Sequence, residues 1–81
     1  MKVMVKVKLF GITREIVGEP VLTMEDLPGS VGQLVQTLKV SYPKMAQLNS
    51  LLVAVNNEYA ADDQVLKVDD EIALIPPVSG G

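Results

Sequence analysis

The sequence predicts an α+β domain in which a mixed β-sheet packs on one main helix and an extended tail leaves the C-terminal end. Three observations carry this expectation. The N-terminal segment alternates apolar and polar residues with period two. One central segment carries a single apolar stripe at helical spacing. The last six residues, Pro76-Pro77-Val78-Ser79-Gly80-Gly81, suit neither a strand nor a helix. At 81 residues the chain has the size of one domain, and 48% hydrophobic residues exclude a disordered acidic segment. With one Phe, two Tyr and no Trp, the core must be aliphatic.

In the first strand, Val3, Val5, Val7 and Leu9 share one face, and Lys2, Met4, Lys6, Lys8 and Phe10 share the other. Gly11 to Gly18 is a connection with a short helical turn at Thr13–Ile16. Glu19 to Met24 reads as a second strand, with Pro20 at its start, where a missing N–H is tolerated. Pro28-Gly29 breaks the chain, and Ser30 with Gln33 matches a capping box. The helix it opens places Val31, Leu34, Val35 and Leu38 on one face and ends before Pro43. Lys44 to Ser50 reads as a loop, Leu51 to Asn56 as a strand, and Asn56-Asn57 as a tight turn. Tyr59 to Leu66 reads as irregular, Asp69-Asp70 as a turn, and Glu71 to Ile75 as the last strand.

A helix with one stripe covers one sheet face only, so the layers are one sheet and one helix. This element order is the β-grasp, or ubiquitin-like, pattern, with the first and last strands placed side by side by fold analogy. Residues 1–75 then form the β-grasp domain and residues 76–81 a flexible Gly-Gly tail.

Composition narrows the chemistry. The chain has no Cys and no His, so it lacks the usual nucleophilic thiol and general-base imidazole, and zinc ligand sets are nearly excluded. No autonomous active site is expected. Residues 1–44 carry a net charge of +2, whereas residues 45–81 carry Lys67 against Glu58, Asp62, Asp63, Asp69, Asp70 and Glu71, a net −5. This acidic half argues against nucleic acid and for a basic partner surface. The acidic spacing does not fit a calcium loop, so no metal site is expected. No targeting segment is visible, and the longest apolar run, Leu51 to Val55, is too short to span a bilayer. A cytoplasmic protein that engages no membrane is expected.

The tail carries the functional reading. Two prolines favour an extended conformation, and Gly80 and Gly81 let the backbone approach another surface closely. Six residues beyond Ile75 span roughly 20 Å when extended. That suffices to enter a deep pocket in a second protein and present the Gly81 carboxylate there. A carboxylate reacts only after activation, commonly as an acyl-adenylate. The prolines lower the entropic cost of fixing the arm.

The hexapeptide 76–81 resembles the terminal signature of the molybdopterin synthase small subunit, the sulfur carrier of molybdenum-cofactor biosynthesis. Val53-Ala54-Val55-Asn56-Asn57-Glu58-Tyr59, Asp70-Glu71-Ile72-Ala73-Leu74-Ile75, and Leu9-Phe10-Gly11 followed by Arg14-Glu15 match as well, so the resemblance spans nearly the whole chain. It implies that a ubiquitin-activating-like adenylyltransferase uses ATP to adenylate Gly81, and that the adenylate becomes a thiocarboxylate. The tail then enters the large synthase subunit, within a heterotetramer, and its sulfur attacks the cyclic pterin precursor. Two such transfers build the dithiolene. The chain itself is then a sulfur-donating subunit that binds no cofactor. The family commonly has Asp-Gly where Val68-Asp69 stand here, which leaves the turn type open, and often has aromatics where Leu74 and Ile75 stand.

Gly81 and Gly80 are therefore the expected reactive end. Pro76, Pro77, Val78 and Ser79 are the expected partner-binding arm. Phe10 and Ile75, on the sheet face away from the helix, form an expected docking patch at the arm's root, and Arg14 is a candidate for pairing with a partner carboxylate. A thiamine-pathway sulfur carrier, a ubiquitin-like protein modifier and a non-reactive β-grasp interaction module are the alternatives.

Overall fold

The computed structural model describes residues 4–48 and 50–76. In chain order the elements are β1 (Val5–Leu9), α1 (Ile12–Val17), β2 (Val21–Met24), α2 (Val31–Ser41), a 3-10 turn (Pro43–Gln47), β3 (Leu52–Val55), β4 (Glu58–Ala60) and β5 (Ile72–Ile75). The five strands form one sheet in the order β2-β1-β5-β3-β4. β1 and β5 run parallel at its centre, with Val7 opposite Ile72 and Leu9 opposite Leu74, and every other pairing is antiparallel. This is the expected β-grasp, with first and last strands adjacent.

Alternation explains the core. Val5, Val7 and Leu9 of β1, Ile72 and Leu74 of β5, and Val53 and Val55 of β3 are buried. Val31, Leu34 and Leu38 of α2 meet them in one cluster that also takes in Met45 and Leu66. Pleating sends alternate residues to opposite faces, so the same strands leave Lys6 and Lys8 exposed on the side away from α2.

Local chemistry sets the N-terminus of α2. The Ser30 hydroxyl accepts from the Gln33 N–H at 3.3 Å, as the capping-box reading expects. The reciprocal bond differs: Gln33 Oε1 accepts from Gly29 N–H at 2.9 Å rather than from Ser30. Two further N–H groups of the first turn are satisfied by the loop after β4, Val31 donating to Gln64 O at 3.0 Å and Gly32 to Asp62 O at 2.9 Å. The approach is close: a Cβ at position 32 would lie 3.2 Å from Asp62 O, so a side chain there would displace that carbonyl by a few tenths of an ångström.

Three elements depart from the sequence expectation. The Gly11–Gly18 connection holds a six-residue helix rather than a single turn. The 43–47 stretch is helical rather than loop, because Met45 turns in to complete burial against the core. The segment expected to be irregular begins with β4, which pairs with β3 through Val53–Ala60 and Val55–Glu58. Three largely exposed residues carry too little alternation to announce a strand. The Asn56-Asn57 turn was legible, and its φ values of 53° and 69° are the left-handed geometry that asparagine tolerates.

Candidate functional site

β5 delivers the chain to the site. Its last residue, Ile75, is followed by Pro76, the last residue described; Pro77, Val78, Ser79, Gly80 and Gly81 lie outside the described residues. The root of the arm is therefore what the structure defines. Pro76 is half-buried and lies over Gly11, where an added Cβ would stand 3.1 Å from Pro76 Cγ. Gly11 has a φ of 55°, so it supplies both the backbone bend into α1 and the space for the proline ring.

Phe10 stands beside this contact. It follows Leu9, which is paired with Leu74, just as Ile75 follows Leu74. Phe10 is 48% exposed, and Ile75 is half-buried. The Phe10 main chain is fixed by Thr13, whose wholly buried hydroxyl accepts from the Phe10 N–H at 3.0 Å and donates to the Phe10 carbonyl. The ring is thus presented from a pinned backbone rather than a free loop. Arg14 is one residue further on α1 and exposed, its N–H bonded to Gly11 O at 3.1 Å. Phe10 and Ile75 each follow a residue of the Leu9–Leu74 pair, Pro76 lies against Gly11, and Arg14 stands exposed on α1 beside Gly11.

Two residues of this surface escaped the sequence reading. Leu52 is paired with Ile75 and is 49% exposed. Tyr59 of β4 is paired with Ala54 on the same open face and is 72% exposed. Leu52 could have been found by extending the alternation of Leu52 to Val55, whereas Tyr59 needed the undetected β4. Farther from the root the face becomes charged. A shallow depression there is lined by Met4, Lys6, Lys8 and Val21 on one side and by Asp70 and Glu71 on the other. Among the described residues no cluster of three or more acidic side chains could hold a metal ion. The Val68-Asp69 turn closes with Asp70 N–H on Lys67 O at 3.1 Å, and neither residue has positive φ, so no glycine is needed there.

What the arrangement can do follows from its parts. Leu52 and Ile75 share the open face of the sheet, and Phe10 stands exposed at the end of β1, the neighbouring strand. A family model described as the ThiS family matches residues 7–81. The chain belongs to the ThiS family. It is 40% identical over 79 residues to the molybdopterin synthase sulfur carrier subunit of Arabidopsis thaliana, covering 95% of this chain and 82% of that protein. It is 42% identical over 82 residues to the subunit of the same name from Dictyostelium discoideum, covering 94% of each. Among solved structures, the small archaeal modifier protein 1 of Methanosarcina acetivorans superposes with a TM-score of 0.77 at 28% identity, covering 100% of this chain and 99% of that one. Subunit 1 or 2 of the molybdopterin-converting factor of Helicobacter pylori, solved as the complex of the two, superposes with a TM-score of 0.64 at 26% identity, covering 96% and 99%. Among the described residues of this ThiS-family chain no helix is long and apolar enough to cross a membrane.

Proposed function

We propose that this chain is the sulfur carrier subunit of a molybdopterin synthase, and that its working group is the carboxylate of Gly81. The observation that carries the reading is the join between body and arm. β5, the central strand, is followed in sequence by Pro76-Pro77-Val78-Ser79-Gly80-Gly81, and its last residue, Ile75, pairs with the exposed Leu52 and follows Leu74, the partner of the residue before Phe10. The names of the related sulfur carrier subunits support the same reading. In this account an adenylyltransferase joins the Gly81 carboxylate to the α-phosphate of ATP and releases pyrophosphate. A sulfur donor then displaces AMP and leaves a thiocarboxylate. Its sulfur is soft and ionised at neutral pH, as a thiolate is, and attacks a side-chain carbon of the cyclic pterin precursor inside the large subunit. There the carbon–oxygen bond it replaces breaks, and the oxygen leaves as water or on the phosphate. Water cleaving the acyl–sulfur bond returns the carboxylate, so the carrier can be reloaded. Two rounds supply both sulfurs of the dithiolene. The carrier itself holds no cofactor; the large subunit provides the pocket, and a heterotetramer results when two carriers flank a dimer of large subunits. The Helicobacter complex supports such pairing. ATP-dependent loading is the ground for proposing a cytoplasmic carrier.

Reconstitution tests this. Loaded protein, large subunit and pterin precursor should yield the dithiolene, with stoichiometric loss of sulfur from the carrier. Failure to form it from fully thiocarboxylated protein contradicts the reading. A second reading, a protein modifier joined through Gly81 to lysine amines, is favoured by the likeness to the archaeal modifier protein. The protein, incubated with activating enzyme, ATP and cell extract, should then leave its 68–81 fragment, cut after Lys67, as a branch on lysines.

A further inference from the structure

We propose that Asn56 and Asp70 form a clasp that sets the register of β5, and through it the reach and direction of the reactive arm. The inference rests on the sulfur-carrier reading and assigns positioning residues that touch neither the arm nor its docking patch.

β5 has only four residues, so little ladder holds it lengthwise. Strands advance about 3.3 Å per residue, and a two-residue slip would move the arm's root by about 7 Å. A one-residue slip is blocked by burial, since it would turn Ile72 and Leu74 out of the core. A two-residue slip is different. In the direction that shortens the arm, Leu74 would take the place of Ile72, and Pro76 that of Leu74, exchanges that keep apolar atoms in the core. The hydrophobic pattern therefore does not prevent retraction of the arm; the missing N–H groups of Pro76 and Pro77 oppose it at one end of β5, and polar contacts oppose it at the other.

The clasp stands at the start of β5. The last registered pair of β3 and β5 is Val55 with Ile72. One residue beyond it, Asn56 N–H donates to Glu71 O at 2.8 Å, and Asn56 Oδ1 accepts from Glu71 N–H at 3.0 Å. The side chain thus completes a ladder pair at the position where Asn56, with a φ of 53°, has already turned into the hairpin. Asn56 Nδ2 donates to Asp70 Oδ1 at 3.0 Å, and Asp70 Oδ2 accepts from Lys67 N–H at 2.8 Å. Donor, acceptor and left-handed backbone are all required at position 56, and few residues besides asparagine supply them. Retraction of β5 would break both side-chain bonds of Asn56 together, while the Lys67–Asp70 bond stays within its own turn.

The test uses a charge-neutral swap. Asn56→Asp alone sets two carboxylates against each other, and Asp70→Asn alone leaves one acceptor short. The double variant N56D/D70N can rebuild every bond with the side-chain polarity reversed. In the isolated full-length protein each single variant should raise amide exchange at Ala73 and Ile75 about tenfold relative to Val5 and Val7, with the swap restoring it. In the loaded protein, the single-turnover sulfur-transfer rate should fall about ten- to hundredfold, because misplacing a reacting atom by ångströms costs that much. Affinity for the large subunit should fall in the same singles and return in the swap, since Ile75 and the root of the arm move with β5. All rates are read where each variant is folded. Wild-type transfer rates in folded N56D, or a swap no better than the singles, overturn the proposal. A loaded wild-type protein that transfers nothing removes the sulfur-carrier reading, while the exchange measurements still decide whether the clasp holds β5.

Discussion

Replacing Phe10 by alanine separates docking from folding, and the structure gives both magnitudes. The ring is 48% exposed, so about half of its surface is still available to a partner. Full burial of a phenylalanine is worth about 1.5–3 kcal/mol, so covering the free half contributes about 1 kcal/mol. At about 1.4 kcal/mol per decade, Phe10→Ala should weaken binding to the large subunit about five- to tenfold. The half already buried beside β5 sets the cost to the body, again about 1 kcal/mol, which in a domain of this size lowers Tm by about 4–8 °C. Titration calorimetry against the large subunit, at a temperature where the variant is folded, reads the first number, and thermal unfolding reads the second. Binding within about twofold of wild type would refute the assignment of this face as the docking surface.

Other substitutions should divide along the same line. Leu34→Ala, in the wholly buried face of α2, should cost about 2–5 kcal/mol of stability while folded molecules bind the large subunit normally, read by denaturant unfolding and calorimetry. Gly32→Ala sets a Cβ 3.2 Å from Asp62 O against a helix-propensity gain of about 1 kcal/mol, so denaturant unfolding should show a net change of no more than about 1 kcal/mol. Deleting Gly81 should abolish sulfur loading, measured by intact mass, and leave the unfolding curve unchanged.

The fold was legible wherever burial wrote a period into the chain. Val5, Val7 and Leu9 announced β1, and Val31, Leu34 and Leu38 announced α2, because each set must face one core. The Asn56-Asn57 turn was legible because few residues accept its backbone. β4 was not, since a three-residue exposed edge strand is held by backbone pairing to β3 and not by its side chains. Met45 gave no sign of its burial, because one methionine in a polar stretch has no pattern to belong to.

At the site the same distinction applies. Phe10 and Ile75 could be placed at neighbouring strand ends from alternation and the adjacency of the first and last strands. Leu52 and Tyr59 join them only through cross-strand register. Thr13 pins Phe10 through hydrogen bonds whose geometry no spacing rule specifies. The Asn56–Asp70 bond links residues 14 apart in sequence and depended on knowing that β5 lies beside β3.

The most direct measurement is the mass of the fragment 68–81, released by cleavage after Lys67, following incubation of the protein with activating enzyme, ATP and a sulfur donor. This account predicts the gain that accompanies exchange of one oxygen for sulfur, localised to Gly81 by fragmentation. A fragment of unaltered mass, in a reaction that converts a control carrier completely, would contradict it.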